Sequence, residues 1–177
     1  MKSLSNGATG APFRGRFELK IDPKGRLSLP SSYRQLLVHD SKKSQELIVT
    51  NSRYLGKSCL HAYTLPEWQK LERKIARLSS LKTEVQAFNR FYLSGGQVVE
   101  VDSQGRILIP QGLRRYAGLE TQAVLVGMGA KFEIWAQDVW DKIYDNLTDS
   151  FEATMDAVAR LEEHSLDDGR DDSDEVE

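Results

Sequence analysis

Cysteine is almost absent. The 177-residue chain carries only Cys59, which rules out an intramolecular disulfide and leaves no thiolate cage for a structural zinc. Histidine is nearly as scarce: His39 beside Asp40, His61 and His164 stand apart without ligand spacing, so neither a metal nor a cofactor is expected. Cys59 and His61, two positions apart, share one face of any strand, and a thiolate–imidazole pair is conceivable there. No third partner or oxyanion loop accompanies them, so the alternative is a buried thiol beside a partly exposed ring. The chain is expected not to be an enzyme. No apolar run approaches the roughly 18 residues of a membrane span, and the opening MKSLSNGATGAP lacks the apolar centre of a secretion signal. A reducing, cytoplasmic location is the expectation.

At 40% hydrophobic and 28% charged residues, the composition is that of a folded domain, and the length suits one domain or two half-domains sharing a core. The net charge of −2 conceals a segregation. From residue 151 onward 11 acids face 2 arginines, which leaves 22 basic and 15 acidic residues before that point. The body is basic and the tail acidic. Such asymmetry points either to nucleic acid or to a solvated surface with a solubilising tail.

There are only five prolines, and two of them close the same ten-residue phrase: IDPKGRLSLP at 21–30 and VDSQGRILIP at 101–110. Asp22, Gly25, Arg26 and Pro30 recur as Asp102, Gly105, Arg106 and Pro110, with apolar positions exchanged for equivalents. Around each phrase the apolar residues alternate, Phe17, Leu19 and Ile21 before the first turn and Leu27 and Leu29 after it. Period two predicts a strand on each side of a turn. Asp bonds nearby N–H groups, Pro fixes φ in the first copy, and Gly admits φ > 0. Further on, Phe132-Glu133-Ile134-Trp135 aligns with Leu60-His61-Ala62-Tyr63, and Trp140 with Trp68, at an offset of 72 in place of 80. The chain is therefore an internal duplication whose second copy is shorter in the middle.

Other elements follow from local signals. Ser31 or Ser32 caps a helical turn bearing Tyr33, Arg34, Leu36 and Leu37; residues 47–50 and 60–63 read as strands joined by a polar connection at 51–57. Thr64-Leu65-Pro66-Glu67 has capping-box form and predicts a helix with Trp68, Leu71, Ile75 and Leu78 on one face. A second helix is expected at 84–93, ended by left-handed Gly95 and Gly96. Val139, Trp140, Ile143, Tyr144 and Leu147 mark another helix, and Phe151, Met155, Val158 and Leu161 a further apolar stripe. The divisions expected are a disordered arm at 1–12, a first half with helices at 13–93, a second half at 94–149, and a C-terminal helix with a disordered acidic tail at 150–177.

On these paired phrases the chain resembles the MraZ family, bacterial transcriptional regulators distantly related to AbrB-type DNA-binding proteins. The likeness runs from Phe13-Arg14-Gly15 through both Asp-x-x-x-Arg turns, GRILIPQGLRRYAGL at 105–119 and VLVGMGAKFEIW at 124–135, to about residue 147. It implies an α+β fold with a mainly β core: an AbrB-like, duplicated swapped-hairpin barrel formed by the two halves of one chain, with peripheral helices. It also implies a ring-shaped homo-oligomer that binds double-stranded DNA at short direct repeats upstream of its own division and cell-wall gene cluster, in the nucleoid. The arm before Phe13, the acidic end after Leu161 and the polar His61-Ala62-Tyr63 depart from the usual pattern.

Arg26 and Arg106 are the principal candidates for DNA contact, gripping phosphates or reading guanine O6 and N7. The competing role is closure of each turn by pairing with Asp22 or Asp102. Phosphate repels the acids themselves, so Asp22, Gly25, Asp102 and Gly105 are expected to shape the turns. Lys24 suits a phosphate, while Gln104, its counterpart, suits an adenine edge or a phosphate oxygen. Arg14 is a weaker phosphate candidate; Arg16 and Lys20 read as solvated strand residues, and Arg34, Arg114 and Arg115 as bordering subunit contacts. Trp68, Trp135 and Trp140 sit in apolar stripes and read as core or interface residues in preference to base-stacking platforms. A scaffold without nucleic acid and a nonspecific nucleoid binder are the alternative functions.

Overall fold

In the computed structural model, residues 13–38 and 45–167 are described. The arm at 1–12, His39-Asp40 and the acidic run from 168 lie outside the described residues, as does the side chain of His164. The chain divides into two units, Met1–Trp140 and Asp141–Glu177.

The first unit is built on antiparallel strands, as the alternating patterns require. Strands β1 (Arg16–Lys20) and β2 (Arg26–Ser28) flank the first turn, and helix α1 (Ser31–Val38) follows Pro30. Strands β3 (Glu46–Tyr54) and β4 (Lys57–Thr64) lead to α2 (Leu65–Ala76), α3 (Thr83–Phe88) and a π-helical turn at Asn89–Leu93. The second copy supplies β5 (Gln97–Glu100), β6 (Arg106–Leu108), α4 (Gln111–Tyr116), β7 (Gln122–Gly127) and β8 (Lys131–Ala136). Helix α5 (Gln137–Asp149) crosses into the second unit, where α6 (Phe151–Asp167) follows. The sequence stripe Phe151, Met155, Val158 and Leu161 lies on α6, and all four side chains are exposed.

Six strands form one sheet in the order β1-β7-β8-β4-β3-β5, and β2 pairs with β6 in a separate ribbon. The order is palindromic: exchanging the two copies maps β1 to β5, β7 to β3 and β8 to β4. Strand pairing among the described residues does not join β1 to β5, and the fold is a mainly antiparallel α+β arrangement. The two strands around each turn are not ladder partners. β1 touches β2 through the single bridge Ile21↔Leu27, as Val101↔Ile107 does in the second copy. β1 pairs instead with β7, and β2 with β6, so each copy completes its strands with the other.

One sheet face and the ribbon enclose the main core, which includes Leu27, Leu47, Val49, Leu60, Ile107, Leu125 and Ile134. Phe13, Tyr33 and Phe132 meet there edge to face with ring centroids 5.0 Å apart. A second cluster, Ile48, Trp68 and Tyr92, forms where α2 and the π-helical turn pack on the sheet. Trp68, Trp135 and Trp140 are all buried, the core placement their stripes predict.

Four local expectations change. The polar stretch 51–57 is not a loose connection: β3 runs on to Tyr54, and Leu55-Gly56, with φ of 47° and 75°, makes the tight reversal. Two successive positive φ values suit the right-handed twist of a two-residue hairpin, although leucine is a costly occupant. Gly95 and Gly96 are not left-handed. They are needed for close approach, because a Cβ would strike the Asn51 amide at Gly95 and the Trp68 ring at Gly96. The helix expected at 84–93 switches to π geometry at Asn89. Of the capping box, Thr64 Oγ1 accepts from the Glu67 N–H at 3.4 Å, while the Glu67 carboxylate turns outward to Lys70.

Candidate nucleic-acid interface

Each Asp-x-x-x-Arg turn is an Asp-centred loop. Asp22 Oδ1 accepts from the backbone N–H groups of Lys24 and Arg26, both at 2.9 Å, and Asp102 Oδ1 does the same for Gln104 and Arg106. Gly25, at φ 85°, and Gly105, at φ 74°, close the turns by donating their N–H to the Asp22 and Asp102 carbonyls. The second carboxylate oxygen takes the arginine: Arg26 Nε lies 2.6 Å from Asp22 Oδ2, and Arg106 Nε 2.8 Å from Asp102 Oδ2. The N–H of Arg26 holds the Asp22 carboxyl below its ordinary range, with the Arg26 side chain adding to the effect against partial desolvation. The N–H of Arg106 does the same for Asp102. Both acids are therefore ionised near neutral pH and fix the root of each guanidinium.

The ribbon then aims the two arginines. Leu27 sits directly opposite Ile107, its own counterpart at offset 80, with Arg26 opposite Leu108 and Ser28 opposite Arg106. Leu29 N–H bonds the Gly105 carbonyl and Ile109 N–H bonds that of Gly25, so a local two-fold axis relates the copies here. Facing residues of an antiparallel pair lie on the same side. Leu27 and Ile107 are fully buried on the core side, which puts Arg26, Ser28, Arg106 and Leu108 together on the outer side. The arginine side chains keep 31% and 27% of their surface open, and Lys24 and Gln104 are exposed at the turn apices. Arg26 and Arg106 occupy diagonal positions, which in such a ladder leaves their Cα atoms about 7–8 Å apart.

Arg14 is not gathered there. It precedes β1, whose other end leads into the Asp22 turn, so the length of the strand, about 16 Å at 3.3 Å per residue, lies between them. Arg34 and Arg114, by contrast, lie beside the turns. The Arg114 guanidinium covers Gly25, and the Arg34 side chain covers Gly105, each reaching the turn of the other copy. Sequence spacing within one copy carries no sign of this crossing.

Cys59 and His61 do not form a reactive pair. Burial, with Glu133 nearby, pushes the Cys59 thiol up to about 12. Both His61 nitrogens are engaged: Nδ1 meets the Tyr92 hydroxyl at 2.5 Å, and Nε2 meets Glu133 Oε1 at 3.2 Å. Tyr63 OH joins Tyr92 OH at 2.7 Å, and Trp135 Nε1 donates to Glu133 Oε2 at 2.8 Å. Burial pulls the Glu133 carboxyl upward, but hydrogen bonds from His61 and Trp135 outweigh it and hold the group below its usual value. His61 faces Glu133 across the β4–β8 ladder, and the two are counterparts at offset 72, so a local two-fold relates the copies at this pair as well. Among the described residues no His, Cys, Asp and Glu cluster has the makings of a metal site, and no helix is long and apolar enough to cross a membrane.

Fold and site together define a duplicated, strand-exchanged protein that displays twin Asp-clamped arginines on one ribbon. A family model described as "MraZ protein, putative antitoxin-like" matches residues 13–91 and again 92–161. The chain is 39% identical over 149 residues to a protein of Pelotomaculum thermopropionicum named "Transcriptional regulator MraZ", covering 84% of this chain and 97% of that protein. The chain belongs to the MraZ family.

Proposed function

We propose that this protein is a sequence-specific, DNA-binding transcriptional regulator that reads short direct repeats upstream of its own division and cell-wall gene cluster as a ring-shaped homo-oligomer. The observation that carries the reading is the pair of arginines rooted in identical turns and partly open to solvent on the same side of one ribbon. The relative's name, a transcriptional regulator, supports the same class. Arg26 and Arg106 contact base edges or adjacent phosphates; Lys24 and Gln104, at equivalent apices, give the two tips different contacts. Arg14 adds at most a peripheral phosphate contact. Asp22, Gly25, Asp102 and Gly105 hold the tips in shape.

We read residues 13–93 and 94–149 as the two halves of one swapped-hairpin barrel, with the β2–β6 ribbon bridging the outer strands of the sheet. Each tip binds weakly, and neighbouring subunits on adjacent repeats raise the effective concentration of the next contact. Location in the nucleoid follows from the DNA partner. The test is footprinting on the gene's own upstream region together with titration of duplexes carrying one or several repeats. Several correctly spaced repeats bind far more tightly than one. Equal affinity for one and several removes the multivalent mechanism, and equal affinity for unrelated DNA makes the protein a nonspecific nucleoid binder.

A further inference from the structure

The Asp-clamped arginines are poor sources of net charge. Arg26 is neutralised by Asp22 and Arg106 by Asp102, through contacts of 2.6 and 2.8 Å, and both acids are held ionised. A phosphate approaching either clamped arginine meets a dipole, not a free cation. Apart from Lys24 at the apex of the first turn, the uncompensated charge beside each turn comes from the other copy. Arg114 from α4 lies on Gly25, and Arg34 from α1 on Gly105, so close that a Cβ on either glycine would overlap the arginine. Among the described residues neither arginine has an ion-pair partner. Arg34 is exposed. Arg114 borders an open recess of about 320 Å³ that is also lined by Gln111, Arg115, Gly118, Leu119 and Glu120. Arg115 and Glu120 cancel in formal charge, which leaves the recess with the charge of Arg114.

Packing alone is a weak reason for arginine at these places. The Arg114 Nε is buried without a hydrogen-bond partner, an arrangement that costs stability and that an apolar side chain of similar length avoids. The group is held despite that cost, with its guanidinium against the Gly25 turn and its side chain lining the recess.

We infer that Arg34 and Arg114 are the phosphate-binding cations of the DNA interface, each delivered across the local two-fold axis to the turn of the opposite copy. This rests on the regulator reading above and deepens it. Sequence-independent, salt-sensitive attraction at both tips comes from Arg34 and Arg114, with Lys24 adding to it at the first tip alone, while Arg26 and Arg106 supply orientation and base choice. Each tip is thus a composite of both halves, and neither half alone carries a complete one.

The experiment measures binding of the full chain to two labelled duplexes, the gene's own upstream region and an unrelated sequence of equal length, across a salt series. Arg34→Gln and Arg114→Gln keep length and polarity but remove charge. Each is expected to lower the slope of log affinity against log salt by about 0.9 per engaged subunit, and affinity about fivefold at 0.15 M salt, equally on both duplexes. Assembly mass and thermal midpoint stay unchanged. Arg34→Lys and Arg114→Lys restore the slope. Unchanged slopes in the Gln variants, or Lys variants as impaired as Gln, overturn the inference and make these residues packing groups. If the unsubstituted protein binds neither duplex, the regulator reading falls with it; if it binds and only Arg26→Ala and Arg106→Ala lower the slope, the regulator reading stands and this inference fails.

Discussion

The two places where the copies meet their own counterparts make opposite use of the same symmetry. At the ribbon, Leu27 faces Ile107, two apolar residues with nothing to satisfy, and the chemistry is pushed to the outer side where both arginines emerge. At the centre of the sheet, His61 faces Glu133, and the polar groups are turned inward and satisfied by Tyr92, Tyr63 and Trp135. Like facing like at the ribbon preserves two equivalent tips. Unlike facing unlike at the sheet produces complementary partners, an acceptor carboxylate against an imidazole, that two identical copies cannot supply. The duplication thus yields a repeated surface device and a single, asymmetric internal lock.

The comparison is broken most severely at the ribbon core. Leu27→Ala leaves a cavity opposite Ile107 and should cost about 2–5 kcal/mol in urea unfolding, with both tips losing their support. Gly25→Ala puts a Cβ at φ 85° and into the Arg114 guanidinium. The backbone alone costs about 1–3 kcal/mol, and DNA affinity should fall while the Asp102 turn stays intact by NMR. At the internal lock, Tyr92→Phe removes the hydroxyl shared by His61 and Tyr63. Stability should drop by about 1–2 kcal/mol while the folded protein binds DNA as before; lost binding would show that the two poles are not separable.

Acidification acts on the tips. Because the folded pKa values of Asp22 and Asp102 lie below the ordinary 3.8, their contribution is complete above that value and lost as pH falls through the lower folded value. Amide exchange at Lys24, Arg26, Gln104 and Arg106 should therefore accelerate only in strong acid, and acceleration near pH 5 would contradict the clamp. The smallest effect lies far from both poles: Leu55→Asn suits φ 47° better and should stabilise the β3–β4 hairpin by roughly 0.5–1 kcal/mol in thermal unfolding.

Much of this was legible in the residue order because the signals are local. Asp, Gly and Arg at fixed offsets dictate the turn, period-two alternation gives β1, β2, β5 and β6, and Thr64 with Pro66 starts α2 where expected. The exchange of strands was suggested only by family likeness. An apolar strand after a turn fits either its neighbour or the equivalent strand eighty residues away, since both present the same alternation. The seating of Arg34 on Gly105 and Arg114 on Gly25 depends on that exchange, so the residue order within one copy carries no signal for it. The π-helical turn was hidden as well. Its register is set by Thr50 and Asn51 holding the carbonyls of Tyr92 and Phe91, contacts about forty residues apart that no helical periodicity records.

The most direct measurement is quantitative binding of the Arg26→Ala and Arg106→Ala variants to the gene's own upstream DNA, with assembly mass and unfolding followed in parallel. DNA reading by the twin arginines predicts a loss of roughly 1–3 kcal/mol of binding for each, with relaxed preference for the repeats and an intact assembly. Full binding by the variants, or loss of folding in place of loss of binding, would contradict it.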